Sequence, residues 1–273
     1  MESRIKHRGR DIIIFLSSLL GLTFFYRTSQ SLRRSLVRVL VFHDVQDKVW
    51  FEKTIAYLAQ YCRLITPEMY AQGKFDTYRI NVLITFDDGY ASWVTTCLPI
   101  LSHYGVKAVF FINSGLIDVS ENPEAQKRYV HDRLLLSPRN TLSWEGVKHL
   151  SENGHTIGGH TVTHARLSEL QEHMQREEII RDKVRIEAVL EKEITMFAYP
   201  FGQSTDYTSA TKKIVSDIGY TSAFTTESGF VYREDTFALS RLCIEDNLSP
   251  SHVRRWVGGG YDIFQKLKSL CVR

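Results

Sequence analysis

Three times in this sequence a helical stretch stops at a glycine and an apolar, strand-like run begins at once: SHYGVKAVFF at Gly105, SENGHTIGG at Gly154 and SDIGYTSAF at Gly219. Glycine accepts the left-handed conformation that ends a helix, and each such joint feeds a parallel strand. The alternation begins near residue 37. VRVLVFHDV reads as a strand, WFEKTIAYLAQY as a helix with Phe51, Ile55 and Leu58 on one face, VLITF as a strand, and YASWVTTCLPILSHYG as a helix. Beyond Gly105 come the strand VKAVFFIN, a polar surface insertion over 116–140 with a short helix, and a helix capped by Ser143. HTIGGHT and TMFAYP are strand-like, and between them a capping box of Ser168 and Gln171 opens an amphipathic helix over 168–193. A helix near 207–218, strands in YTSAF and FALSRLCIE, and a helical tail from about Ser249 complete the pattern. The pattern predicts an α/β fold: about seven parallel strands with helices outside, in a closed or nearly closed barrel. No Pro- or Ser-rich linker interrupts residues 37–273, which are expected to form one domain.

At 273 residues the chain can bury a full core. Its net charge of +3 is unevenly spread: residues 1–38 hold eight basic residues against two acids, so the remainder is net acidic. The positive excess is therefore terminal and gives no nucleic-acid-binding surface. Inside that basic segment, residues 12–26 read IIIFLSSLLGLTFFY. The run is short of the roughly 20 residues of a membrane-spanning helix but suits a signal-peptide core. Residues 1–30 are expected to be an export signal or uncleaved anchor, which would associate with a membrane and place the domain in the cell envelope. The four cysteines are scattered without C-x-x-C spacing and are expected to be free thiols.

Two features carry chemistry. The strand VLITF runs straight into Asp87, Asp88 and Gly89, which would place two carboxylates at the C-terminal end of a barrel strand, where such barrels hold their sites. After a later strand, GGHTVTH sets His160 and His164 four residues apart, which on a helical turn brings both imidazoles to one face. One Asp and two His make three metal ligands with a position left for water, the arrangement of a catalytic zinc site. One aspartate would bind the cation and the other take a proton from its water, and the dication would let both stay ionised.

In order along the chain, TFDDG (85–89), H-T-x-x-H (160–164) and Tyr199-Pro200-Phe201-Gly202 resemble the signatures of the polysaccharide deacetylase, or NodB-homology, family over roughly residues 37–245. The resemblance implies a deformed (β/α) barrel that removes N-acetyl groups from the amino sugars of a glycan substrate with a divalent metal, Zn2+ first. An Asp-His-His set also accepts cobalt, nickel or iron. It further implies Asp87 as general base, Asp88, His160 and His164 as metal ligands, and the Phe201 N–H as part of an oxyanion hole. Two departures stand out. The family's third motif carries an arginine where this chain has Ala198, and its late Leu-x-His is missing from LSRLCIED near Leu239. His43, closing the strand VLVF, is similar to the acid histidine of the permuted poly-N-acetylglucosamine deacetylases, in which it comes from an early strand. Arg241 is the candidate to hold Asp87 in place of the motif arginine. Tyr199, Phe201 and Trp144 are candidates for a sugar-stacking wall. Two other classes stay open: a deacylase or deformylase of a glycolipid amino sugar, and an inactive metal-bound carbohydrate-binding module.

Overall fold

Strand β3 (Asn81–Asp88) is buried at every position, as a strand covered on both faces must be. The structure, a computed structural model, describes residues 35–231, 235–246 and 248–271, together with Ile14, Thr23, Arg27 and Thr28. β1 (Val37–Phe42) and β4 (Val109–Ile112) flank β3 and run parallel to it. β5 (Thr156–Gly159), β6 (Met196–Ala198) and β7 (Ser222–Phe224) continue the sheet past β4, while the two-residue β8 (Leu242–Cys243) pairs with β1 on the other side. The short β2 (Arg63–Leu64) pairs with the first residues of β3. Every one of these pairings is parallel.

The two edges then meet. Leu239 donates its N–H to Ala223 O and accepts from Thr225 N–H, each at 2.9 Å, in a lone parallel bridge with β7. The barrel is thus nearly closed, as the sequence pattern predicts. Its seam divides the run FALSRLCIE, expected as one strand. Leu239 bonds to β7, Arg241 N–H bonds to Glu227 O, and only Leu242 and Cys243 pair with β1. One stretch of chain serves both edges and cannot run as one regular ladder.

The strand period of two sorts the core. Val39, Leu83, Val109, Phe111, Ala198 and Phe224 cluster on one face of the sheet, which is the barrel interior. Leu40, Phe42, Ile84, Phe86, Phe110 and Phe197 cluster on the other, beneath the helices. By the same period Asp87 shares the interior face with Leu83 and Thr85.

Helix α1 (Lys48–Tyr61) buries Phe51, Ile55 and Leu58, the predicted face. α2 (Pro67–Ala71) is short, and α3 (Leu98–His103) is preceded by a π turn over Trp93–Cys97. α4 (Ser114–Asp118) and α5 (Pro123–Asp132) occupy the insertion, and α6 (Trp144–Glu152) starts on its Ser143 cap. The glycine joints hold: Gly105, Gly154 and Gly219 take φ of 64°, 79° and 100°.

α7 (Glu172–Leu190) departs from expectation, because it begins after a 3₁₀ turn at Leu167–Glu169 and Gln171 caps it without a side-chain bond. Ser168 donates its N–H to Asp206 O, and Leu170 N–H closes onto Leu167 O, so the expected capping box does not form. α8 (Ser209–Asp217), α9 (Pro250–Val257) and α10 (Gly260–Cys271) complete the chain. The expected signal or anchor helix over 12–26 lies outside the described residues apart from Ile14 and Thr23. Among the described residues, no helix is long and apolar enough to cross a membrane. Cys62 and Cys97 are buried free thiols, and Cys243 is a half-buried one.

Candidate active site

The C-terminal ends of β1, β3 and β5 open into a cavity of about 410 Å3 whose lining includes His43, Asp87, Asp88, His160, His164 and Phe201. Six of the seven residues expected from the sequence to have catalytic or metal-binding roles therefore share one mouth. The seventh, Arg241, lies behind Asp87, fully buried.

Asp87 and Asp88 are consecutive yet occupy different surroundings. Arg241 grips Asp87 with two parallel bonds, Nη1 to Oδ1 at 2.7 Å and Nη2 to Oδ2 at 2.6 Å. Its Nε donates to Thr225 O, so the fork is fixed from behind. Burial pushes the Asp87 carboxyl up, but Arg241 and then His160 outweigh it and hold Asp87 below the usual carboxylate range. Asp88, at φ 88°, ends the strand and turns toward the histidines. Its Oδ2 accepts from Tyr90 Oη at 2.8 Å, while its Oδ1 faces His160 Nε2 at 3.6 Å and His164 Nε2 at 3.5 Å.

The histidines do not stand on a helical turn. Residues 160–164 form a loop in which Thr161 and His164 adopt left-handed φ of 68° and 53°. Those two residues, not a helical repeat, bring the imidazole centroids to 5.1 Å. The loop is tied to α7: Glu178 accepts from Thr163 N–H and Oγ1, and Asp182 accepts from His160 N–H at 2.9 Å. Asp182 also receives Ser114 N–H, and Asn113 Nδ2 donates to His160 O. Asp182 approaches so closely that a Cβ on Gly159 would lie 2.9 Å from its Oδ2 and 2.2 Å from Tyr220 Oη. The second glycine of HTIGGHT is a packing requirement.

Asp88, His160 and His164 present ligand atoms that all lie within 4.8 Å of one another. Their chemistry fits a divalent cation. His160 Nδ1 lies 2.7 Å from Ala198 O, which makes it the donor and leaves the Nε2 lone pair facing Asp88. Burial pushes the His160 pKa down, but Asp87 and Asp88 outweigh that and pull it up, so the pocket favours a positive charge. Burial pushes His164 down to about 4, against the pull of Asp88, and keeps its imidazole neutral for ligation.

A family model described as polysaccharide deacetylase matches residues 75–223. The chain belongs to the polysaccharide deacetylase family. Family deacetylases are metal-dependent, and this member carries the Asp-His-His set described above. A curated relative is YxkH of Bacillus subtilis (strain 168), which carries a provisional polysaccharide deacetylase name. It is 29% identical over 171 residues, 62% of this chain and 53% of its own length. The chain thus spans about half the length of that relative. Among solved structures, the Streptococcus pyogenes deacetylase PplD in complex with acetate superposes with a TM-score of 0.67 at 20% identity, covering 81% of this chain and 98% of that one. IcaB from Ammonifex degensii gives 0.67 at 24% identity, covering 82% and 97%. Both similarities are of fold.

Within this deacetylase-family fold, Phe201 sits at φ 61° on the cavity wall, its ring 4.7 Å from that of His164. His43 is exposed, and its position follows from register: Phe42 pairs with Phe86, so the residues after them, His43 and Asp87, emerge side by side. Trp93 Nε1 anchors the His43 carbonyl at 2.9 Å. Of the three aromatic residues expected to form a sugar-stacking wall, Phe201 lines the cavity and the other two do not. Tyr199 is buried against Tyr207 and bonded to Phe237 O, and the Trp144 indole bonds to Asp118, outside the cavity.

Tyr90, Asn113 and Asp182 were not anticipated, although each left a signal. Tyr90 directly follows TFDDG, and Asn113 ends the strand VFFIN. Asp182 sits between Ile179 and Ile186 on the buried face of α7, where a charge needs a partner.

Proposed function

We propose that this chain is a metal-dependent hydrolase that removes N-acetyl groups from amino-sugar residues of a polysaccharide or oligosaccharide. The observation that carries this reading is the meeting, in one cavity, of a three-ligand metal set and a carboxylate that is ionised, adjacent and not part of that set. A divalent cation, zinc by preference, held by Asp88, His160 and His164, would supply a water of lowered pKa and polarise the acetyl carbonyl.

The chain's own residues divide the remaining work. Asp87 accepts the proton of the attacking water. Its bidentate pair with Arg241 occupies one lone pair on each oxygen and leaves another for that proton. The Phe201 N–H donates to the oxyanion of the tetrahedral intermediate, a contact typically worth about 3–4 kcal/mol. His43, the imidazole of the cavity that lies outside the metal set, donates a proton to the departing nitrogen as the C–N bond breaks. One water is consumed, and acetate and a free amino sugar leave. The basic-flanked apolar run at 12–26 supports a cell-envelope location for this activity.

The test is acetate release, by mass spectrometry, from a panel of N-acetylglucosamine oligomers with and without chelator. Acetate should appear in equal amount with new amines, stop with chelator and return with zinc. A metal-loaded protein that releases nothing from any acetylated glycan is the inactive binding module. Release of formate from formylated sugars alone makes it a deformylase.

A further inference from the structure

Two of the three aromatic residues expected to hold a sugar lie outside the catalytic cavity, so its wall has to be found elsewhere. The stretch after α5, residues 133–139, reads RLLLSPR, and Leu134, Leu136 and Arg139 all line the cavity. Both ends of this stretch are tied to the catalytic framework. The Arg133 carbonyl oxygen lies 3.3 Å from His164 Nδ1. Beyond Arg139, Asn140 O accepts from Ala91 N–H at 3.0 Å and Leu142 donates its N–H to Gly89 O at 2.9 Å, which fastens the far end to the turn after Asp88. Binding residues commonly sit on loops that a rigid scaffold positions in this way.

Arg139 is fixed more closely still. Its Nη1 donates to Asp44 Oδ2 at 3.0 Å, and Asp44 Oδ1 in turn accepts from Ser92 Oγ at 2.7 Å. The Asp44 side chain is 8% exposed and that of Arg139 38%, so the carboxylate is the buried anchor and the guanidinium is the end that meets the cavity. Among the described residues, Asp44 is the one hydrogen-bonded partner of Arg139, and the rest of its planar donor fork remains available. Compensation of Asp44 accounts for the ion pair but not for those remaining donors, nor for the two leucines beside them.

We infer that residues 134–139 form the sugar-binding wall of the catalytic cavity, in which Arg139 donates to the hydroxyls of an uncharged amino sugar and Leu134 and Leu136 meet its apolar ring face. The inference rests on the deacetylase reading and extends it to the choice of sugar. Asp44 directly follows His43, the residue that protonates the departing sugar nitrogen, so Arg139 stands on the side of the cavity where the sugar must lie. Charge sets the class of sugar. Asp44 already compensates the arginine, and Glu245 and Asp246 also line the cavity, so a sulfate or uronate would meet carboxylates with no free cation of the wall to offset them.

Titration calorimetry on the zinc-loaded Asp87→Asn protein reads binding apart from turnover, with an N-acetylglucosamine trimer and its 6-O-sulfated form as probes. In that background Arg139→Gln and Arg139→Lys should each weaken the neutral trimer about 10- to 100-fold, the range for hydrogen bonds from a charged donor. Leu136→Asn should weaken it about fivefold, the share of a part-buried leucine. The sulfated trimer should bind more weakly than the neutral one, and zinc content should not change. In the active enzyme the same substitutions should raise KM and leave kcat within about twofold. Arg139→Lys keeps a cation for Asp44 and so guards against a folding artefact. Undiminished trimer binding by both Arg139 variants overturns the assignment, and a sulfated trimer that binds as tightly as the neutral one overturns the uncharged class. Acetate release by the wild type is scored separately: its absence sinks the deacetylase reading, whereas release together with undiminished binding by the variants sinks this inference alone.

Discussion

The two sides of the catalytic cavity are built by different means. The metal side comes from the middle of the chain: Asp88 at the end of β3 and His160 and His164 after β5 fall inside the stretch matched by the family model, residues 75–223. The seam side comes from both ends. His43 follows β1 and Arg241 precedes β8, both outside that stretch; the pairing of β1 with β3 brings His43 beside Asp87, and Arg241 reaches Asp87 from the seam. The metal side is clamped locally by α7 through Asp182 and Glu178, whereas the seam is held by a few bonds around Leu239 and one buried ion pair. The metal side should therefore fail by losing its cation, and the seam by losing rate or stability with the cation still bound.

The sharpest contrast sets His160→Ala against Asp87→Asn. The first removes a ligand whose orientation rests on Ala198 O, so zinc and all measurable turnover should go together. The second leaves the ligand set whole. Zinc by elemental analysis should stay stoichiometric while kcat falls about 10³- to 10⁴-fold, the upper range for loss of a general base. Zinc loss in Asp87→Asn would place Asp87 among the ligands and erase the distinction between the two sides.

Arg241→Met strikes the seam next. Removing one partner of a buried pair leaves Asp87 uncompensated, at a cost of about 3–5 kcal/mol. The sign of its pH dependence follows from the lowered Asp87 pKa. In the wild type the pair's stabilisation is present above the unfolded carboxylate value near 3.9, and is lost as pH falls through the folded value below it. The urea-denaturation gap between wild type and Arg241→Met should be wide at neutral pH and close as the buffer is acidified. A pH-independent gap would mean the arginine acts through packing on Phe111 instead.

The same division governs how much of the molecule was legible in its sequence. Alternating strands and helices, the glycine joints and TFDDG are local signals, and they located the barrel and the mouth at which Asp88 meets the two histidines. The reason the histidines converge was misread, because left-handed Thr161 and His164 are not written in any periodicity. Asp182 was silent since its role needs α7 docked against β5. Arg241 could be named only by noticing that Ala198 stands where an arginine was expected, as the seam joins residues 154 apart in sequence.

His43→Ala probes the seam more gently. With the acid removed, kcat should fall about 100-fold and the basic limb of its pH profile should disappear, with zinc retained. Substrates bearing a better leaving group than an amine should recover most of the loss. An unchanged basic limb would move the proton donor elsewhere in the cavity, leaving the exposed imidazole as a substrate contact.

Tyr90→Phe returns to the metal side with the smallest expected effect. The phenol holds Asp88 Oδ2, which leaves Oδ1 turned toward both histidines. Phenylalanine keeps the buried ring against Trp93 but releases the carboxylate to rotate. Outer hydrogen bonds of this kind are worth about 10- to 100-fold in metal affinity, and a substitution that spares every ligand belongs near tenfold. Competition with a chromogenic chelator should show that loss, while kcat at saturating zinc stays within about twofold of wild type, since uniform loss of metal affinity leaves the loaded enzyme's barrier alone. Tyr90 also lines the cavity, so the opposite pattern is informative: intact zinc affinity with a lowered kcat would make the phenol a substrate contact, and the metal side would then depend for its geometry on α7, Asn113 and the Ala198 carbonyl.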